Sequence, residues 1–316
     1  MHLSVRGFRA LIVAVAAGVM IAPVPGRAVA VPGRPNHDEV AYVVDGKGPN
    51  HIYVSDLRGR HPSLLVKGRD PAWSPDGQWI SYRTGNPQHP GGNPTRIHLI
   101  HPDGSGGKLL DLHVIGEASG EAGPAQWSPD GHWLLFDTLG GIYVVRPNGM
   151  DLGKVSEFPG HHLACYDLEP SWSPSGTAIV FAVLCDGGNL GIWRVNVDGR
   201  GRAQLVGTGH GDPFEAAYQP AWSPDGKSIV FVGIRRTRQH HYSNALYTVD
   251  QSGSQLSRIT HGRSYPFAPE WSPDGTEISF SEYDRGISLI HPNGSGETHL
   301  DRIPRHACCL SWNPEP

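Results

Sequence analysis

One motif returns six times along this chain. It reads Trp-Ser-Pro-Asp-Gly at Trp73–Gly77, Trp127–Gly131, Trp222–Gly226 and Trp271–Gly275. It reads Trp-Ser-Pro-Ser-Gly at Trp172–Gly176 and is cut to Trp312-Asn313-Pro314 at the C-terminus. Successive tryptophans lie 54, 45, 50, 49 and 41 residues apart. A period of this size marks a repeat architecture, in which each unit needs neighbours to bury its apolar faces. Four short strands per period predict a β-propeller.

Each period has the same anatomy. The tryptophan sits on a short strand, after Pro71-Ala72 or Pro220-Ala221 for example, and Ser-Pro-Asp-Gly then turns the chain. Proline presets φ at the second turn position, Asp tolerates the third, and Gly takes the left-handed position that closes a hairpin. An apolar strand follows, as in Ile179-Val180-Phe181 and Ile229-Val230-Phe231, and then another β-rich run such as Ile142-Tyr143-Val144-Val145. A second glycine turn leads into a short fourth strand. One tryptophan per unit, each able to bury about 150–250 Å², suits packing between adjacent blades.

The ends are offset from the blade boundaries. Glu39–Val43, His51–Val54 and Ser63–Val66 match the second, third and fourth strands of a repeat. The missing first strand is Leu310–Asn313 at the other end. Six blades are therefore expected, with the C-terminal strand joining the N-terminal blade and removing the free sheet edge. The 41 glycines and 28 prolines among 316 residues fall periodically at turns, so they signal a turn-rich all-β domain and not disorder. The repeat fills the chain from about residue 38, which gives one domain, residues 31–316.

Residues 1–30 read as a signal peptide. Arg6 and Arg9 precede an apolar run from Ala10 to Ala22, and Ala28-Val29-Ala30 is a small-x-small cleavage pattern. The run is too short for a membrane span of about 20 residues. Export to a periplasmic or extracellular location is expected, with no membrane span after cleavage. The formal net charge of −4 becomes about −7 once the three leader arginines are removed. Such an acidic domain is a poor nucleic-acid binder. Export permits disulfides. Facing residues across the hairpin at Pro174-Ser175-Gly176 sum to about 350, as Cys165 and Cys185 do, so those two are expected to bond. Cys308 and Cys309 are then a vicinal disulfide or two free thiols, with a metal site that includes His306 as the alternative.

The two tight turns of each repeat share one face of a propeller. The opposite face carries the long segments Gly85–Thr95, His113–Pro124, Pro159–Glu169, Gly207–Gln219, Ile234–Asn244 and His261–Ala268. Loops on a rigid scaffold commonly carry binding. The expected binding residues there are His161, His162, Tyr166, Asp167, His210, Asp212, Phe214, Glu215, Tyr218, Arg235, Arg236, His241, Tyr242 and Tyr265. Asp70, Glu121, Asp167 and Glu215 precede the innermost strands and could hold Ca²⁺ at the channel mouth. The Asp residues of the Ser-Pro-Asp-Gly turns read as turn chemistry. No nucleophile elbow, phosphate-binding loop or dinucleotide fingerprint is present.

The string Pro-x-Trp-Ser-Pro-Asp-Gly-x-x-Ile-x-Phe, clearest at Pro220–Phe231 and Pro269–Phe280, resembles the TolB-type, or WD-like, β-propeller repeat. Arg258-Ile259-Thr260-His261-Gly262 is similar to the family's Leu-Thr segment. The resemblance covers residues 38 to 316 and implies a six-bladed propeller. It also implies a periplasmic setting in the Tol–Pal envelope system, where TolB binds the lipoprotein Pal through its propeller. TolB carries an additional N-terminal domain, which the short stretch after Ala30 leaves no room for. Related propellers accompany peptidases or act as lyases, so fold alone does not decide function. The expectation is an exported, monomeric, non-catalytic module that binds a cell-envelope protein. The alternatives are a secreted carbohydrate-active or hydrolytic enzyme with a His/metal site at the channel mouth, or a small-ligand binder.

Overall fold

The computed structural model describes residues 39–45, 50–85, 95–110, 112, 122–156, 165–185, 188, 190–209, 211–236, 241–261 and 265–314. Residues 1–30, the expected signal peptide, lie outside them. Twenty-four strands form six four-stranded antiparallel sheets among the described residues. The first blade holds β1 (Glu39–Val44), β2 (His51–Asp56) and β3 (Ser63–Lys67). The second holds β4 (Arg69–Trp73), β5 (Ile80–Thr84), β6 (Arg96–Ile100) and β7 (Lys108–Leu109). The third holds β8 (Gln126–Trp127), β9 (Leu134–Thr138), β10 (Gly141–Val145) and β11 (Gly153–Ser156). The fourth holds β12 (Cys165–Trp172), β13 (Ala178–Cys185), β14 (Leu190–Asn196) and β15 (Ala203–Val206). The fifth holds β16 (Ala216–Trp222), β17 (Ser228–Arg236), β18 (Tyr242–Asp250) and β19 (Ser257–Arg258). The sixth holds β20 (Pro266–Trp271), β21 (Ile278–Glu282), β22 (Gly286–Ile290) and β23 (Thr298–His299). The last strand, β24 (Ala307–Trp312), pairs antiparallel with β1, Val40 facing Trp312 and Val43 facing Cys308.

The ring is closed. Strands β4, β8, β12, β16, β20 and β24 each pack against the next, and β24 packs against β4. The tryptophans fill the seams between blades. Trp73 packs with Ala41 and Val43 of the first blade and with Ile80 of its own, and Trp172 packs with Leu135 and Ile142 of the third. The indole N–H groups of Trp271 and Trp312 reach the preceding blade, donating to Ala221 O and Ser279 Oγ, each at 3.2 Å.

The repeated turn works through its side chains. In the second blade Ser74 Oγ donates to Asp76 Oδ1 and accepts from the Trp79 N–H at 2.9 Å, while the Gln78 N–H donates to Asp76 at 3.1 Å. The same pattern recurs around Asp130, Asp225 and Asp274. The serine hydroxyl is the main reason these three carboxyls sit below the ordinary range. They are turn chemistry, as expected. The glycine that follows lies at φ 63° to 72°, where a Cβ is strained.

A second repeated feature is invisible as a motif. Three residues before the tryptophan, the innermost strand bulges with a non-glycine residue in the left-handed region. These residues are Asp70 (φ 53°), Glu169 (φ 53°), Gln219 (φ 52°), Ala268 (φ 49°) and Cys309 (φ 58°). Each coincides with a register shift in its sheet. In the third blade Pro124 holds this position. Its ring fixes φ near −65°, so it cannot take the bulge, and β8 there is only 2 residues long.

The bulge also sets the disulfide. Trp172 faces Ile179, and an unbroken register would put Cys165 opposite the residue after Cys185. The extra residue on β12 corrects this by one, so Cys165 faces Cys185 and the two are bonded.

Candidate functional site

The structure redraws the long-segment face. Cys165–Glu169 and Ala216–Gln219 were expected in loops but belong to β12 and β16. Ile234–Asn244 is not one loop either: β17 and β18 continue outward until Arg236 faces Tyr242. The stem is stiffened by Arg235, whose guanidinium lies 4.7 Å from the Phe214 ring centre and 4.9 Å from that of Tyr247. Blades four and five therefore rise as ribbons on this side.

The expected binding residues divide into two sets. Phe214, Tyr218 and Asp167 are buried and serve the blade interior, which corrects their assignment to the contact surface. Phe214 stands edge-on to Phe231 and Tyr247 beneath Arg235. Asp167 is fully covered and held by Arg202 through two 2.7 Å contacts, with Ser156 Oγ donating to it at 2.6 Å. This network ties blade three to blade four, and Arg202 also stacks on Phe181 and Trp193. The other set faces solvent. Asp212, Glu215, Arg236, His241, Tyr242 and Tyr265 are exposed, the two tyrosines at 60% and 54%, and Tyr166 is half-buried. His161, His162 and His210 lie outside the described residues, as does Glu121. Of the proposed cation ligands, Asp70 is engaged by Arg83 at 2.5 Å and Asp167 by Arg202. Among the described residues no three His, Cys, Asp or Glu side chains gather to hold a metal ion.

Between the raised ribbons and the channel, the bulges build a polar collar. The Glu169 N–H donates to Asp137 Oδ1 at 3.3 Å, the Gln219 N–H to Glu169 Oε2 at 2.9 Å, and the Ala268 N–H to Gln219 Oε1 at 2.8 Å. Each step crosses from one blade to the next. Ala268 has no acceptor to continue the relay, so Ser281 Oγ accepts from the Cys309 N–H instead, at 2.9 Å. Two residues deeper, Glu270 accepts from the Trp312 N–H and from Ser311 Oγ, and burial pushes its carboxyl up to about 8. Inside blade five the Asn244 amide donates to the Tyr218 hydroxyl at 3.3 Å, and burial followed by the Glu169 charge pushes the Tyr218 phenol up. Tyr283 packs on Phe267 with ring centres 5.6 Å apart. Burial, then Asp45 and Cys308, push its phenol up to about 12. Asp45 is raised by burial against the opposing pull of His306. Sequence reasoning missed Asp45, Glu169, Gln219, Glu270 and Tyr283 as mouth and collar groups. Glu169 and Gln219 sit three residues before a tryptophan and Glu270 one before, but other residue types fill those offsets in the remaining blades, so only the shared offset could have pointed to them.

On the opposite, tight-turn face a small cleft lies between blades two and three, lined by Asp76, Trp79, Lys108 and Trp127. The Lys108 ammonium covers the Trp79 ring at 4.6 Å.

A closed ring of six four-stranded blades, five carrying the Trp-Ser-Pro turn and one carrying Trp312-Asn313-Pro314, defines a six-bladed β-propeller. A scan against protein-family models finds no match. The chain is 26% identical over 168 residues to the Tol-Pal system protein TolB of Bordetella pertussis. That alignment spans 51% of this chain and 35% of the relative, about a third of its length. TolB from Acinetobacter baumannii superposes with a TM-score of 0.63 at 19% identity, over 88% of this chain and 67% of that one. A protein from Agrobacterium tumefaciens described as TolB gives 0.62 at 18% identity, over 83% and 88%. The two solved structures share the fold.

Proposed function

We propose that this chain is an exported, periplasmic, non-catalytic propeller that binds a protein of the cell envelope through its ribbon-bearing face. The observation that carries the reading is the contrast between collar and rim. The channel wall is tied blade to blade by hydrogen bonds. The rim above it presents Tyr242, beside Arg236 and His241, and, from the sixth blade, Tyr265 to solvent. Exposed tyrosine and arginine on a rigid frame are the residue types that dominate protein-binding hot spots. The relative's place in the Tol-Pal system supports an envelope setting. Among the described residues no helix is long and apolar enough to cross a membrane.

The test compares the wild-type chain with a variant carrying Arg236→Ala, His241→Ala, Tyr242→Ala and Tyr265→Ala. These positions are exposed, so folding is preserved, which far-UV and tryptophan spectra verify. An envelope protein captured by the wild type, identified, and rebound as a purified pair should lose at least about tenfold in affinity, the loss of one hot-spot side chain. Equal affinity for both forms would place the interface elsewhere.

A further inference from the structure

The ring closes on two adjacent cysteines whose sulfurs touch. Successive side chains of a regular strand point to opposite faces of the sheet, so neighbours in sequence normally hold their side chains apart. Here Cys309 is the bulge residue of β24, at φ 58°. The left-handed backbone turns its side chain back toward that of Cys308, and the two Sγ atoms lie 2.7 Å apart. Both are unbonded thiols in this structure, closer than an ordinary contact between side chains and short of the roughly 2.05 Å of a disulfide bond. Both residues are half-buried on the innermost strand. Cys308 faces Val43 across the seam where the two chain ends join, and the Cys309 N–H is fixed by Ser281 of the sixth blade. Two positions that a bulge alone can bring together are thus held from both sides.

We propose that Cys308 and Cys309 are an oxidation site, joined in the exported protein as a vicinal disulfide that clasps the last strand of the ring. The oxidant is a protein or small-molecule disulfide of the kind that forms Cys165–Cys185 in the same chain. The Cys309 sulfur, as thiolate, attacks one sulfur of that oxidant and expels the other as a thiol. Cys308 then attacks the Cys309 sulfur of the mixed disulfide and releases the second thiol. The pair loses two protons and two electrons, and the oxidant is reduced to two thiols. The contact with Cys309, then burial, hold the Cys308 thiol well above its ordinary range, so Cys308 is not the sulfur that meets the oxidant first; its proton leaves in the second, intramolecular step. The product is an eight-membered ring that includes the 308–309 peptide. It locks the left-handed turn at Cys309, an otherwise strained conformation for a residue with a side chain. The clasp sits at the junction of the chain ends, where β24 pairs with β1.

The full chain is equilibrated with glutathione buffers of graded potential, denatured without reductant, alkylated, digested and weighed. In oxidising buffer the peptide holding both cysteines is expected to be lighter than the dithiol by two hydrogens and to lose all label. The label returns at both positions after reduction. In Cys308→Ala, Cys309 is expected to take label or glutathione while Cys165–Cys185 stays bonded, showing that protection in the wild type comes from the bond. Label at both cysteines of oxidised wild type, with Cys165–Cys185 intact, would overturn the proposal. So would glutathione retained on either sulfur or a cross-link between two chains.

Discussion

Glu270 offers a direct test of the collar. Its carboxyl reaches from blade six to blade one, accepts from the Trp312 N–H, and has a value raised from 4.5 to about 8. Burial is the main cause, and it disfavours the ionised form in the folded protein only. The sign follows from linkage. A folded-state value above the unfolded one means the native protein binds the proton more tightly. The resulting stability is fully present below pH about 4.5 and is lost as pH rises toward about 8. Each pH unit in that window is about 1.4 kcal/mol, which bounds the loss at about 5 kcal/mol. The residue is half-buried, and partial solvation lowers the figure to about 2–3 kcal/mol. Glu270→Gln keeps an oxygen for the Trp312 N–H and cannot ionise. Urea unfolding followed by tryptophan fluorescence, for wild type and variant across the window, should show the variant gaining on the wild type by about 2–3 kcal/mol between the two limits. Other titrations cancel in the difference. Parallel curves, or a variant that loses ground as pH rises, would refute the assignment of a buried neutral carboxyl at this position.

Three further outcomes follow from named contacts. Asp167→Ala leaves Arg202 without its covered partner and should destabilise by about 3–5 kcal/mol in urea unfolding, whereas Asp212→Ala, at an exposed position, should change stability by less than about 0.5 kcal/mol. The Cys165→Ser, Cys185→Ser double variant removes a bond between positions 20 residues apart and should cost about 3 kcal/mol by the same measurement. A Cβ at Gly123 would collide with the Asp137 carboxylate, so Gly123→Ala should lower stability by about 1–3 kcal/mol, and an unchanged thermal midpoint would show that the collar yields there.

Much of this molecule was legible in its sequence. Six tryptophans with a local turn motif set six blades, because turn chemistry acts within five residues and strand periodicity within one blade. The offset of the chain ends specified how the ring closes, and the hairpin arithmetic found Cys165–Cys185 to within the one residue that the bulge supplies. The candidate site was harder to read. Phe214, Tyr218 and Asp167 looked like rim residues because they precede a strand in polar, varied segments. Phe214 is buried by Tyr247 and Arg235 and Asp167 by Arg202, all distant in sequence, and Tyr218 lies in the same apolar cluster as Phe214. Arg235 looked like a loop tip and is the stiffener of a ribbon. The collar from Asp137 through Glu169 and Gln219 to Ala268 crosses four blades, and each bond joins residues 32 to 50 positions apart. Its backbone donors are exposed by left-handed bulges that no residue type announces, since Asp, Glu, Gln, Ala and Cys all occupy them. The sequence by itself determined the blades and their order, because those depend on neighbours along the chain. Which side chains reach solvent, which carboxyl loses its charge, and which two sulfurs touch were decided only when six blades packed around one axis.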